Sequence, residues 1–315
     1  MPPIVRSLAV AAATVIGVII GPALLIGALV GPVAGAAFPL GAIAGLAAAN
    51  GDGRGNALKL LPLMGLGGAA VAATAGNWAW VAVLALVGAV VGWLSTMGRF
   101  IAVTEVAIMV VSAGPQSGSR ALMVYGAFSV LGYLYGVLAA RVGGAPEFVR
   151  RMPLPRIRPG RAALLGAAAL ALAAVLALQA NWVKPFWIPA AFLALLQMWF
   201  TAADVDRRRV FVRLAATYFG VLLLVPFLRW VPPAAVGAAA VVILIVGIAV
   251  GGSTYWLSVA LVTVAVVLFA SGEANPFVVG QQRFSAFVVG TLLLVVVLAG
   301  LRWVRRPEGA DAAPY

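Results

Sequence analysis

Apolar runs of about 17–22 residues recur along this chain, separated by short patches that hold nearly all of its charge. A helix of about 20 residues, rising ~1.5 Å per residue, spans a hydrocarbon core of ~30 Å. In lipid every backbone N–H and C=O must be paired inside the protein, so runs of this length are helices. Apolar residues make up 64% of the sequence and charged residues 9%. A soluble domain has about a quarter of its residues charged. The mean hydropathy, +1.12, agrees with a lipid environment. The expected fold class is all-α, a polytopic membrane helix bundle.

Twelve spans are expected, at about 8–29, 32–49, 57–75, 77–95, 99–114, 121–140, 162–180, 185–201, 210–229, 233–251, 254–271 and 283–303. Loops of two to four residues make many sequential neighbours antiparallel hairpins. Proline within spans (Pro22, Pro39, Pro62, Pro189, Pro226) is tolerated where neighbouring groups satisfy the freed carbonyls. The first run follows a single Arg6 and reads as the first span rather than a cleaved signal. The tail 305–315 is expected to be disordered.

The basic residues are unevenly placed. One alternating set of loops and termini holds 17 of the 21 basic residues, and the other holds Arg120, Lys184, Arg229 and Arg283. Cytoplasmic loops collect Lys and Arg, so both termini are expected in the cytoplasm. The net charge of +13 is this topology signal, and no nucleic-acid partner is expected. The Arg loops, including Arg207, Arg208 and Arg209, are expected to meet anionic lipid.

A polar, Arg- and Pro-rich stretch divides the chain into a first six-helix unit (1–142), a basic linker (143–161) and a second six-helix unit (162–304). The two units share landmarks. Phe38-Pro39 and then Asp52-Gly53-Arg54 correspond to Trp187-Ile188-Pro189 and then Asp204-Val205-Asp206-Arg207. Arg120 and Arg283 open the last span of each. Six is even, so two such copies are parallel repeats about an axis along the membrane normal.

There is no cysteine and no histidine. Thiolate and imidazole metal sites, disulfides and Ser–His or Cys nucleophilic chemistry are excluded. Asp204 and Asp206 form one close acidic pair, too few carboxylates for a metal–diphosphate site. No cofactor and no enzyme activity is expected.

Glu105 is the acidic residue placed well inside a span. A carboxylate at mid-bilayer costs about 2.5–3.5 kcal/mol on the lenient insertion scale. Two readings stand: a proton-coupling site, or a structural pair with Arg54, Lys59 or Arg99. For Arg120 and Arg283 two readings also stand. They are cationic posts of an anion path, for which the planar Arg fork suits a carboxylate, or they snorkel to lipid phosphates. Arg213, one turn before Thr217, is placed to hold the cytoplasmic mouth of such a path. Gly132-x-x-x-Gly136 is a close-packing pattern. Trp78, Trp80, Trp93, Trp182, Trp199, Trp230, Trp256 and Trp303 are expected mostly in interfacial belts.

The second unit carries a recognisable pattern: Trp187-x-Pro189, then Arg213-x-x-x-Thr217-x-x-Gly220, then Arg283 with Gly290 seven residues on. It resembles the fusaric acid resistance and aromatic acid exporter family of bacterial inner-membrane proteins. That family is more remotely similar to the plant aluminium-activated malate transporters, which are anion channels. The family's usual Thr, Gly, Asp and Thr are here Ala191, Ala216, Ala286 and Phe287. The resemblance implies a multi-pass protein of a bacterial inner membrane that exports small organic anions, aromatic carboxylates among them. The proton gradient or the membrane potential would drive it. It also implies Trp187, Arg213, Thr217 and Arg283 as path residues. The rival expectation is a non-transporting membrane scaffold for envelope assembly. Oligomeric state is open, a homo-oligomer included.

Overall fold

The computed structural model describes residues 3–142, 158–201, 207–232, 235–251, 254–271 and 274–304. Among them the secondary structure is helical, with no strand. The expected linker between Gly143 and Ile157, Asp204-Val205-Asp206, and the tail 305–315 lie outside the described residues.

Each expected span contains a helix. Seven stretches are long and apolar enough to cross a bilayer: Val5–Val30, Pro32–Gly51, Trp78–Ser95, Ser119–Val142, Pro159–Gln179, Val210–Trp230 and Pro276–Gly300. Five shorter apolar helices, Leu63–Thr74, Phe100–Val111, Trp187–Trp199, Val236–Ala249 and Tyr255–Ser271, occupy the remaining positions. The chain is a multi-pass membrane protein built as a helical bundle.

The first span is α1 (Pro3–Thr14), a π-helical stretch (Val15–Ile20) and α2 (Gly21–Val30). Pro22 follows the wide turn and has no N–H to donate into it, a common origin of such insertions. Next come α3 (Pro32–Asp52) and the short α4 (Arg54–Leu58). In the third expected span the order is reversed: Pro62 precedes a π-helical stretch (Leu63–Gly67), and α5 (Gly68–Thr74) follows. The first half closes with α6 (Trp78–Ser95), α7 (Phe100–Val111) and α8 (Ser119–Val142). The second half holds α9 (Pro159–Gln179), α10 (Trp187–Thr201), α11 (Arg207–Trp230), α12 (Val236–Ala249), α13 (Tyr255–Ser271) and α14 (Pro276–Val304).

Small residues set the tightest contacts, because lipid tails supply no hydrophobic drive and backbones must approach closely. Helix α3 lies on α8 with Gly41 and Gly45 against the backbone of Ser129 and Tyr133, and Gly132 and Gly136 against Phe38 and Ala42. Both sets of positions rise together along the two helices, so α3 and α8 run parallel. The sequence pattern at Gly132 and Gly136 is therefore a packing device. Helix α6 meets α9 through Gly88 on Gly166 and Gly92 on Ala162, an antiparallel order.

Pairings recur between the halves. The second and last helices of each half pack together, as α3 on α8 and α10 on α14. The fourth helix of each half packs on the first of the other: α6 on α9, and α12 on α1. Ser7 Oγ donates to Ala249 O at 2.7 Å across the second of these contacts. The match is incomplete, since α7 packs on α3 and on α10 while α13 packs mainly on α11, α12 and α14.

Two sequence expectations change here. Trp80 is buried (1% exposed), packed in the core rather than in an interfacial belt. Trp78, Trp93, Trp230 and Trp256 are exposed, as belt residues are. Helix α14 begins seven residues before the expected start. Asn275 Oδ1 accepts from Phe277 N at 2.9 Å and starts the helix there, so the polar Gln281-Gln282-Arg283 run is interior. Arg283 consequently lies two turns inside its helix, whereas Arg120 is the second residue of α8. The two arginines do not occupy equivalent positions.

Candidate functional site

Three helices of the second half converge, α10, α11 and α14. Their relative directions follow from side-chain neighbours. Gly280 faces Val221 and Leu224, Tyr218 faces Phe284, and Arg213 faces Phe287, so α11 and α14 are antiparallel. Trp187 faces Arg283 while Gly290 abuts Ala191 and Phe192, so α10 and α14 are parallel. Both relations agree with the alternating span directions expected from the basic residues.

Helical spacing assembles the site. On α14, Arg283 and Phe287 are four residues apart and share a face. On α11, Arg213 and Thr217 do the same. Arg213 Cζ lies 5.1 Å from the Phe287 ring centroid, and Arg283 Cζ lies 5.7 Å from it. Arg283 Cζ also lies 4.6 Å from the Trp187 ring centroid. Arg213 is the seventh residue of α11 and Arg283 the eighth of α14, so each sits about 10 Å inside its helix at 1.5 Å per residue. Because the helices are antiparallel, the two guanidiniums reach Phe287 from opposite ends.

The polar atoms here are short of partners. Trp187 Nε1, Arg213 Nε, Thr217 Oγ1, Gln282 Oε1 and Arg283 Nε are all buried and unpaired. Buried polar groups are normally hydrogen-bonded, and each unmet one costs about 1–3 kcal/mol. The guanidiniums act on each other as like charges. The aromatic faces of Trp187 and Phe287 offset part of the desolvation by cation–π attraction.

A carboxylate comes from the other half. Helix α7 packs on α10, and Glu105 Oε1 accepts from Gln197 Nε2 at 2.7 Å. The Arg213 charge also acts on Glu105. Among the described residues, Glu105 meets this amide and the charge of this arginine rather than Lys59 or Arg99. Arg99 flanks the start of α7, six residues from Glu105 and on another face, whereas Gln197 of α10 is in hydrogen-bond contact.

Of the residues singled out in the sequence, Trp187, Arg213, Thr217 and Arg283 share one site, with Glu105 at its edge. Arg120 does not join them. It is exposed at the start of α8, which packs on α3, α4, α5 and the π-helical stretches. Sequence reading missed Gln197, Gln282 and Phe287. Gln197 was detectable as an amide inside an apolar span, Gln282 fell just outside its expected span, and Phe287 had no signal beyond its spacing from Arg283.

Residues 167–297 match the sequence model of the fusaric acid resistance protein-like family. The chain is similar to that family over this part of its second half. The comparisons with curated proteins and with solved structures gave no match. The matched segment contains α10, α11, α14 as far as residue 297 and every site residue except Glu105, which lies on α7 before it begins.

Proposed function

We propose that this protein is a membrane transporter that exports small organic anions, with aromatic carboxylates in the class, through a path lined by Trp187, Arg213, Thr217 and Arg283. The observation that carries the reading is the convergence of two guanidiniums on Phe287 with both Nε–H groups unpaired. Two like charges held together in a low dielectric repel strongly, and a counter-anion between them removes that cost. The indole N–H and the Thr217 hydroxyl supply further neutral hydrogen bonds, and the Arg forks match a carboxylate's two oxygens. The fusaric acid resistance-like family agrees with a transport role for this segment.

The proposed setting is a bacterial inner membrane with both termini in the cytoplasm. The proton gradient or the membrane potential drives export. The potential supplies about 2.3 kcal/mol per charge per 100 mV for an anion leaving a negative interior. The test is anion efflux from proteoliposomes over a panel of aromatic and aliphatic acids. Saturable efflux that vanishes when Arg213 and Arg283 are both replaced supports the reading. No efflux of any acid favours the scaffold alternative.

A further inference from the structure

Helix α11 carries two unlike faces. On the site face, Thr217 is fully buried. Thr217 stands nine residues from Arg208, about two and a half turns, so Arg208 faces the other way. Arg208, Val212, Ala215, Phe219 and Leu222 recur at intervals of four and three and form one stripe on that outer face. A cavity of about 510 Å³ lies over the stripe from Val212 to Leu222. The small side chains of Ala215 and Ala216 leave the space. One wall is Tyr218, backed by Phe284 of α14 with ring centroids 5.0 Å apart. The other is Phe219 with Trp256 of α13, 5.9 Å apart and edge to face. Tyr218, Phe219, Leu222 and Trp256 are all exposed on a helix bundle that spans the membrane, so the cavity is a groove open to the bilayer.

Length and charge say what fills it. From Val212 to Leu222 the groove follows α11 for about 15 Å, half of a ~30 Å hydrocarbon core. That is the depth of one leaflet's acyl chains. An aliphatic chain suits a lining of alanine, leucine and aromatic rings. Arg208 is exposed, one turn (~6 Å) before Val212 on the same stripe, where the groove reaches the membrane surface. Arg207 and Arg209 flank it in the sequence. Basic side chains at that level attract anionic headgroups. We propose that the groove is a seat for one anionic phospholipid, with its phosphate on Arg208 and one acyl chain lying between Tyr218 and Trp256. The net charge of the headgroup matters, because a zwitterionic lipid brings its own cation to the same place. The seat is on the opposite face of α11 from Thr217, so it is separate from the anion site and does not depend on the transport reading.

The experiment uses the full chain in phosphatidylcholine nanodiscs, into which phosphatidylglycerol or phosphatidylcholine with dibrominated acyl chains is titrated. Bromine quenches an indole that it touches, and the Trp256 signal is each chain's fluorescence minus that of its Trp256→Phe counterpart. Half-maximal quenching should need about fivefold less brominated phosphatidylglycerol than brominated phosphatidylcholine, the ratio that ~1 kcal/mol per basic side chain at a lipid surface gives. Arg208→Gln should remove that preference. Arg141 is the control, an exposed arginine at the end of α8, which packs on helices of the first half. Arg141→Gln should leave the preference unchanged, since exposed charges more than about 10 Å apart are screened. Ala215→Phe should fill the groove and weaken quenching by both lipids. Equal quenching by the two lipids in the wild type overturns the proposal and makes the occupant ordinary solvating lipid. A preference retained in Arg208→Gln, or lost as much in Arg141→Gln, overturns it too, by assigning the selectivity elsewhere or to overall charge. Quenching unchanged in Ala215→Phe puts the lipid outside the groove and does the same. So does a Trp256 that neither lipid quenches in discs holding two copies, which shows protein on this face. None of these outcomes depends on whether any acid is exported.

Discussion

The Arg283 guanidinium lies over the indole of Trp187, its Cζ 4.6 Å from the ring centroid. The contact crosses from α14 to α10 and buries the Trp187 N–H without a partner. It fixes where a positive charge stands inside an apolar bundle. An Arg that snorkelled to a lipid phosphate would leave the ring and carry its fork to the membrane surface.

Arg283→Ala is expected to cut anion efflux per molecule at least tenfold. A charge-assisted hydrogen bond in such a site contributes roughly 1.5–3 kcal/mol, and ~1.4 kcal/mol is a factor of ten. Arg283→Lys should restore only part, because Lys keeps the charge and loses the fork and much of the stacking. Proteoliposome efflux normalised to protein amount is the measurement. Normalised flux equal to wild type in Arg283→Ala would remove Arg283 from the path.

Gly132→Val should lower the thermal unfolding midpoint and the yield of folded protein. A Cβ at Gly132 would strike the carbonyl of Phe38 and the backbone of Ala42 on α3. Backbone cannot yield as a flexible side chain does, so the cost is about 1–3 kcal/mol or more. Gly237→Ala in α12 is the control, because its Cβ would meet open space. Equal melting of the two variants in detergent contradicts the α3–α8 contact.

Tyr133→Phe should destabilise the first half only modestly. The Tyr133 hydroxyl donates to Ala57 O at 2.7 Å, joining α8 to the end of α4. Leu60 N donates to the same carbonyl at 2.9 Å, so the oxygen keeps one partner in the variant. The expected loss is about 0.5–1 kcal/mol, at the low end for a hydrogen bond. A loss above about 3 kcal/mol, as a broken core would give, contradicts this account; reversible unfolding in mixed micelles measures it.

Reporter fusions after Gly143 and after Tyr315 should both report the cytoplasm. The expectation comes from the 17 basic residues in one set of loops against four in the other. A periplasmic signal from either fusion breaks the assignment of sides, though not the relative helix directions seen in the packing.

Proline, glycine and charge placement made much of the bundle legible. The run lengths predict every long helix but not the short α4, and Gly132 with Gly136 predicts a close helix contact. These are local properties, since helical periodicity and the cost of polar groups in lipid act along the chain. Pro22 and Pro62 were legible as prolines inside spans, but not as neighbours of π-helical stretches. The early start of α14 was hidden because Gln281 and Gln282 read as an end rather than as interior residues.

The sequence by itself determined a helical membrane protein, its apolar segments and the presence of scattered arginines within reach of them. Only the tertiary structure decided which of those arginines meet. Arg213 and Arg283 are 70 positions apart in the sequence. They share Phe287 because α11 and α14 pack antiparallel at a particular rotation and depth. Arg120 is left out because α8 packs on α3 instead. Glu105 finds Gln197 because α7 crosses to the other half. Rotation, depth and crossing are set by how glycines and large side chains interlock between helices, and no periodicity within one helix encodes them.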